Sequence, residues 1–350
     1  MIRLATFLFR RLKPLFLLGA TPYVLLAQHS GMAHVAASAV TPTLRLITDQ
    51  AQREIIVEIG PIDLPNDAGH IQLPPFHTQI PIDGWLHGFY IDLVDGNGRP
   101  VPRQILHHVN VIEPDRRELF SPIMLRLAAA GQETDPVKLP WLLGYRVRKG
   151  QEFIVTSMMH NPTGREYDGV RLRVHFPYTT GGLIKPISIF PFYMDVMPPA
   201  SRHSYDLPPG KSTRSWEARP VVSGRIIGIG GHVHQYGTSL RLEDLNTRKV
   251  IWAAQPAVGK DGQISSMPMK TFITRLGVPI KEGHVYRVTA EYDNTSGQTI
   301  PGGAMGALGG AFIPSSRARW PRVDRNDPQL KIDWELVHTG PGEGHVHGGS

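Results

Sequence analysis

With 16 histidines, 10 methionines and no cysteine, this chain can do metal chemistry only through imidazole, thioether and carboxylate groups. Four motifs put such groups where they could act together. In Gly230-Gly231-His232-Val233-His234-Gln235-Tyr236-Gly237 two histidines stand one residue apart. On a strand that spacing turns both imidazoles to one face, where they could share an ion. Leu106-His107-His108-Val109-Asn110 holds two adjacent histidines, which on a regular strand face opposite ways. They can reach one ion only where the strand ends, twists or bulges; otherwise one is buried and hydrogen-bonded and the other solvated. Ser157-Met158-Met159-His160-Asn161-Pro162-Thr163-Gly164 ends a strand in a histidine and turns sharply, which suits a ligand and equally a turn residue. In Pro301-Gly302-Gly303-Ala304-Met305-Gly306-Ala307-Leu308-Gly309-Gly310 a methionine stands among residues too small to fill a core. Methionine is usually core filler, but this setting suits a soft thioether ligand for Cu(I).

The remaining histidines carry less. His345-Val346-His347 repeats the spacing in a Gly-rich tail with no strand to hold it, so it reads as weak, adventitious metal capture. His77, His87, His175, His203 and His284 are scattered and read as structural or surface residues.

Composition narrows the field. Without cysteine there are no disulfides, iron–sulfur clusters, zinc fingers or thiol nucleophiles. The net charge of +7 falls to +3 without residues 1–40, which hold four Lys/Arg and no Asp/Glu. No dense basic patch with interleaved aromatics is left, which argues against a nucleic-acid partner. Residues 1–40 read as a signal peptide: Arg3, Arg10, Arg11 and Lys13, then an apolar run from Pro14 to Ala27, then Ala36-Ala37-Ser38-Ala39. The run is shorter than the about 20 residues of a membrane span, so export with cleavage is expected, to the periplasm or outside the cell, with no stable membrane anchor afterwards. The Arg10-Arg11 pair is compatible with a twin-arginine signal.

The elements that would position the motifs are strands. Short alternating runs broken by Gly, Pro, Asn and Asp predict strands at Leu44–Thr48, Glu54–Ile59, Gly88–Val94, Gln104–Ile112, Phe153–Met159 and Val170–Phe176. After a Pro-rich stretch they resume at Arg225–Gly230, Thr238–Glu243, Val250–Ala254, Lys270–Thr274, His284–Tyr292, Ala311–Ile313 and Lys331–Leu336. Asp95-Gly96-Asn97-Gly98 predicts a hairpin, and Phe120–Ala130 reads as a helix. The expected fold is all-β: two consecutive antiparallel, jelly-roll-like β-sandwiches, 41–184 and 185–338, with a cleft between them and a disordered Gly/His tail at 339–350.

In this order and at these separations, the motifs resemble those of the copper type II, ascorbate-dependent monooxygenases, the family of peptidylglycine α-hydroxylating monooxygenase and dopamine β-monooxygenase. The likeness runs from about residue 80 to 315. It implies two single-copper sites across a solvent-filled cleft. His107, His108 and His160 would hold an electron-transfer copper, and His232, His234 and Met305 the copper that binds dioxygen. The partners implied are O₂, an electron donor such as ascorbate, and a small-molecule or peptide-like substrate hydroxylated at a C–H bond.

The chain also departs from the family. It lacks the disulfides of the animal enzymes, and Gly230 stands where the peptide-hydroxylating enzyme has an arginine for the peptide carboxylate. Ala307 and Gly309 stand where that enzyme has polar groups for the peptide. A more open pocket or a less charged substrate is therefore expected. A cupin would want Glu near positions 237–239, where Gly237, Thr238 and Ser239 stand; a zinc hydrolase of the His-x-His-x-Asp-His kind would want Asp in place of Tyr236. A non-catalytic, copper-sequestering protein on the same scaffold would need the same ligands.

Overall fold

The computed structural model describes residues 41–339, apart from 132, 133, 135, 200, 202, 203, 260–263, 274, 275 and 316–318. The expected signal peptide, His203 and the His345/His347 tail lie outside the described residues.

The chain is all-β. In the first half an eight-stranded sheet is built around Tyr167–Thr179, flanked by Glu54–Leu64 and Gly88–Val94. It packs on a five-stranded sheet in the order Ile71–Gln72, Glu152–Met159, Leu106–Arg117, Met124–Ala130, with Phe76–Gln79 at its side. Alternation drives this packing: Val170, Leu172, Val174 and Phe176 turn to one face and join Val57, Val109, Val111, Phe153 and Val155 in a common core. In the second half a five-stranded sheet runs Phe190–Asp195, Gly306–Pro314, Gly224–Val233, Lys270–Thr271, with Val278–Ile280 also on Gly224–Val233. It packs on a four-stranded sheet of Gly210–Ala218, Tyr286–Asn294, Gly237–Asp244 and Lys249–Ala254. Ile226, Ile229, Leu240, Leu242, Val288 and Phe312 fill the space between.

Three expectations are corrected. Met124–Ala130 is a strand, not a helix, and every residue in it is buried. It lies between its own sandwich core, through Leu125, Ala128 and Ala130, and the second half, through Ala129. A strand covered on both faces loses its alternation and reads like a buried helix. Lys331–Leu336 is not a strand but part of a helix, Pro328–Thr339. Its start carries Asp327, whose Oδ1 accepts the Gln329 N–H at 2.8 Å, followed by Pro at the first helical position. The Asp95–Gly98 turn forms, but it does not pair Gly88–Val94 with Leu106–Arg117 as the expected hairpin would. Asp95 Oδ1 closes the turn on the N–H groups of Asn97 and Arg99, and the chain does reverse, but the pairing is only a short stub: the Val94–Pro100 bridge and the Val101 N–H on the Leu93 carbonyl. The chain then crosses to the other sheet, because the strand Leu106–Arg117 needs partners on both its edges.

The two halves share a device that the sequence reading missed. Asn161 and Asn294 are both buried, one just after the strand Glu152–Met159 and the other at the end of Tyr286–Asn294. Asn161 Nδ2 donates to the carbonyls of Leu64, Pro65 and Arg165; Asn294 Nδ2 donates to those of Leu207, Pro208 and Gln298. Each Oδ1 accepts a hydroxyl two residues on, from Thr163 and from Ser296. One amide thus serves otherwise orphaned carbonyls of two loops. Asn294→Ala is expected to cost about 1–3 kcal/mol by leaving them unsatisfied, read as a lower midpoint in urea denaturation with an unchanged slope.

A polar cluster is buried beside the junction of the halves. The Arg126 guanidinium bonds Asp333 of the C-terminal helix at 2.8 and 2.5 Å, and Glu118 Oε1 accepts the Arg126 N–H at 2.7 Å. Burial pushes the Glu118 carboxyl up to about 8, against the pull of that N–H and the Arg126 charge. Burial likewise raises Glu113 to about 7. In the unfolded chain Glu118 ionises near its ordinary 4.5. Between the two values the folded state binds more protons, so this contribution is complete below pH 4.5 and is lost as the pH rises through 8. Glu118→Gln is expected to remove a fall in stability of up to about 1.4 kcal/mol per pH unit across that window, read by denaturation at pH 5 and pH 8.

Candidate metal centre

The first sandwich gathers four imidazoles at one corner. The strand Leu106–Arg117 opens with His107 and His108, and its pairing with Glu152–Met159 slips there: Met158 lies opposite His108, and Met159 opposite Leu106. His107 is the extra residue of this bulge, which meets the condition for two neighbouring histidines to turn together. Their Nδ1 atoms face each other at 2.9 Å. His160 follows the partner strand, held by its N–H on the Ile105 carbonyl, and its ring centre lies 5.4 Å from that of His107. His160 Nε2 donates to the Gln104 carbonyl at 2.5 Å, so its proton sits there and Nδ1 is left as a lone pair.

The fourth ring is His70, which the sequence reading did not single out. Its centre is 4.5 Å from His107 and 5.4 Å from His160. It precedes the short strand Ile71–Gln72, which pairs with Met158 and Met159 and so brings His70 beside His160. Only that pairing places it; nothing in the spacing of Ala68-Gly69-His70 foretells it.

Electrostatics favour the neutral form of His108 and His160. Burial, and then the nearby His70, hold His108 down at about 3, and burial also lowers His160. His108 Nε2 is buried with no hydrogen-bond partner, the kind of orphan that a bound ion or water resolves. Neutral nitrogen donors without a carboxylate suit copper or zinc better than magnesium or calcium. The rings nevertheless pack edge to face or tilted, and among the described residues no group of three or more His, Asp or Glu side chains is arranged to hold a metal ion as it stands.

In the second sandwich the strand Gly224–Val233 presents Gly230 and His232 on the face toward the first half, while Ile229 and Val233 enter the core. His234 follows at a tight turn closed by the Gly237 N–H on its carbonyl, and the two rings lie 5.2 Å apart. Gly237 is required there, because a Cβ would meet Val233 Cγ2 at 2.6 Å. Met305 joins the pair through the backbone: the His234 N–H reaches the Met305 carbonyl at 3.4 Å and Tyr292 Oη at 3.1 Å, and Tyr292 Oη in turn donates to that carbonyl.

The Met305 side chain departs from expectation. Instead of standing open among glycines in a solvent-filled cleft, it is fully buried and packed with Ala129, Tyr193 and Ala307. The reason is tertiary: Ala129 comes from the facing sheet and fills the space that small neighbours left. Ala129 lies opposite Asn110, which makes it a diagonal neighbour of the position of His108, roughly 7–8 Å away across the ladder. The two histidine groups therefore lie on sheets that face one another across a packed layer.

The scattered histidines have protein partners. His87 bridges the Leu143 carbonyl and Thr179, His175 bridges Glu54 and Asp92, His284 bonds Asp244, and His77 bonds Glu152 and His338. Between the halves lies a partly open apolar cavity of about 70 Å³, lined by Leu86, Phe89 and Tyr145 on one side and Gly228, Gly230 and Gly309 on the other.

No family model matches this chain, and no curated protein matches it. Among solved structures it is similar to PNGF-II, at 9% identity and a TM-score of 0.34, over 85% of this chain and 65% of that one. It is similar also to the infectious bursal disease virus VP2 subviral particle (9% identity, TM-score 0.24, 80% of this chain and 72% of that one) and to the mavirus major capsid protein (8%, 0.19, 83% and 90%). The chain thus spans a little under two thirds of PNGF-II.

Proposed function

We propose that this chain is an exported copper-dependent monooxygenase that hydroxylates a C–H bond of an organic substrate. What supports the reading most is the convergence of the adjacent His107 and His108, at a bulged strand start, with the sequence-distant His160, and the His232/His234 pair on the facing sheet. The first three would hold the electron-transfer copper; His232, His234 and Met305 would hold the copper that meets dioxygen. Bound copper would supply the one-electron and dioxygen chemistry that no side chain of a cysteine-free chain supplies. The protein's part is to keep His108 and His160 neutral by burial and to fix the His160 tautomer through Gln104. The overall change takes a C–H bond and O₂ to C–OH and water, with two electrons and two protons from a donor such as ascorbate. Export is proposed from residues 1–40; among the described residues no helix is long and apolar enough to cross a membrane.

One observation favours the second reading, copper binding without turnover: Met305 is packed away among Ala129, Tyr193 and Ala307. Oxygen consumption separates the two. Copper-loaded protein given ascorbate and a broad substrate panel is expected to take up O₂ in proportion to hydroxylated product, and His234→Ala to abolish it. Uptake no greater than that of His234→Ala across the panel leaves only the binding role.

A further inference from the structure

The cavity between the two halves has no part in holding metal, yet its lining is that of a site for an apolar ligand. Its inner space is small, about 70 Å³, and opens to solvent, so a ligand would enter by one apolar end. Leu86, Phe89 and Leu127 form one wall and Ile189 and Ile227 another; among the described residues no charged side chain lines it. Of its few polar groups, the Tyr145 hydroxyl is already bonded to Glu113, and Thr271 stands at an exposed edge. A carboxylate or ammonium placed here would be desolvated with nothing to pair it, at a cost of several kcal/mol or more.

The glycines of the floor differ in what they do. Gly310 is forced by packing: a Cβ there would meet the Gly228 carbonyl oxygen at 2.1 Å and Phe192 at 2.7 Å. Gly228 is not. A Cβ there would meet nothing nearer than the Lys270 carbonyl oxygen at 4.0 Å, and its backbone is not left-handed. The absent side chain at 228 leaves the chamber open where the fold would tolerate one.

The chamber also points at the candidate metal pair. Its floor includes Gly230, opposite Gly309, and the next rung on that face is His232, opposite Ala307. Two residues along a strand span roughly 6.6–6.8 Å.

From this we infer that the chamber binds a neutral, apolar small molecule. On the copper reading above, that molecule is the substrate, held by burial of its carbon skeleton and presented end-on toward His232. Binding itself does not depend on that reading.

The test uses two probes with the same aromatic skeleton on metal-free protein: neutral N-phenyl-1-naphthylamine and anionic 1-anilinonaphthalene-8-sulfonate. The neutral probe is expected to bind once per chain with enhanced fluorescence, at least tenfold more tightly than the anionic one. Gly228→Leu should weaken it at least tenfold, with the far-UV spectrum and melting midpoint unchanged. Ile273→Arg, at the exposed mouth, should swing the preference toward the anion without touching the core. Absence of binding, equal affinity for the two probes, or binding indifferent to both substitutions overturns the inference.

Copper is then counted separately. Probe binding without copper retention keeps the chamber and removes the oxygenase reading. Two retained coppers without probe binding does the reverse.

Discussion

Loaded with excess copper and desalted, a chain ending at Thr339 is expected to retain two equivalents, since the His345/His347 tail can no longer add a spurious one. His107→Ala should reduce this to one and leave the second site's spectrum unchanged, and His234→Ala should remove the other. His107 is the choice for the first site because it is only partly buried, whereas truncating the fully buried His108 would also open a hole. Losing an outer partner of a metal ligand costs roughly 10–100-fold in affinity, so losing a ligand should cost more, and His70→Ala should fall within that outer range. Met305→Leu is a better probe than Met305→Ala, because the side chain is packed on every side and the truncation would cost about 2–5 kcal/mol in stability alone. Metal analysis with electron paramagnetic resonance decides it. One copper at saturation overturns the two-site reading, and two retained by His107→Ala rule out the first site as assigned.

The second large effect concerns stability. Asp333→Ala is expected to cost about 3–5 kcal/mol, because the Arg126 guanidinium would be left buried without its counter-charge. The neighbouring Glu118 is a poor replacement, since burial pushes its carboxyl up to about 8. The helix Pro328–Thr339 should loosen first. Its Leu330 and Val337 pack on Ile112, Met124 and Ile154 of the sheet that carries His107 and His108, so the loss should extend to copper affinity at that cluster. The double variant Arg126→Met with Asp333→Leu should recover most of the stability, as apolar replacements of a buried pair do. Thermal melts and amide exchange of the helix test this; a loss below about 1 kcal/mol for Asp333→Ala would mean the pair is hydrated.

Much of the strand pattern was legible because period-two alternation is local. Gly88–Val94 is found with the bounds predicted for it, and most other strands differ by a few residues. Failures came where a neighbour cancels the alternation. Met124–Ala130 is covered on both faces, and the C-terminal helix packs where the chain order suggested no partner. Its Asp327-Pro328 start was readable in the sequence and was missed.

By itself the sequence determined that any metal site must use imidazole, thioether or carboxylate groups, that the fold is a succession of short strands, and which five histidines to watch. These follow from composition and local spacing. Only the tertiary structure decided which histidines meet. It added His70 through the pairing of Ile71–Gln72, turned His107 inward by a bulge, buried Met305 against Ala129, and left an apolar chamber beside Gly230. Each depends on contacts between residues distant in the chain, set by strand register and by how two sheets fill the layer between them, and neither is written in the spacing of any one motif.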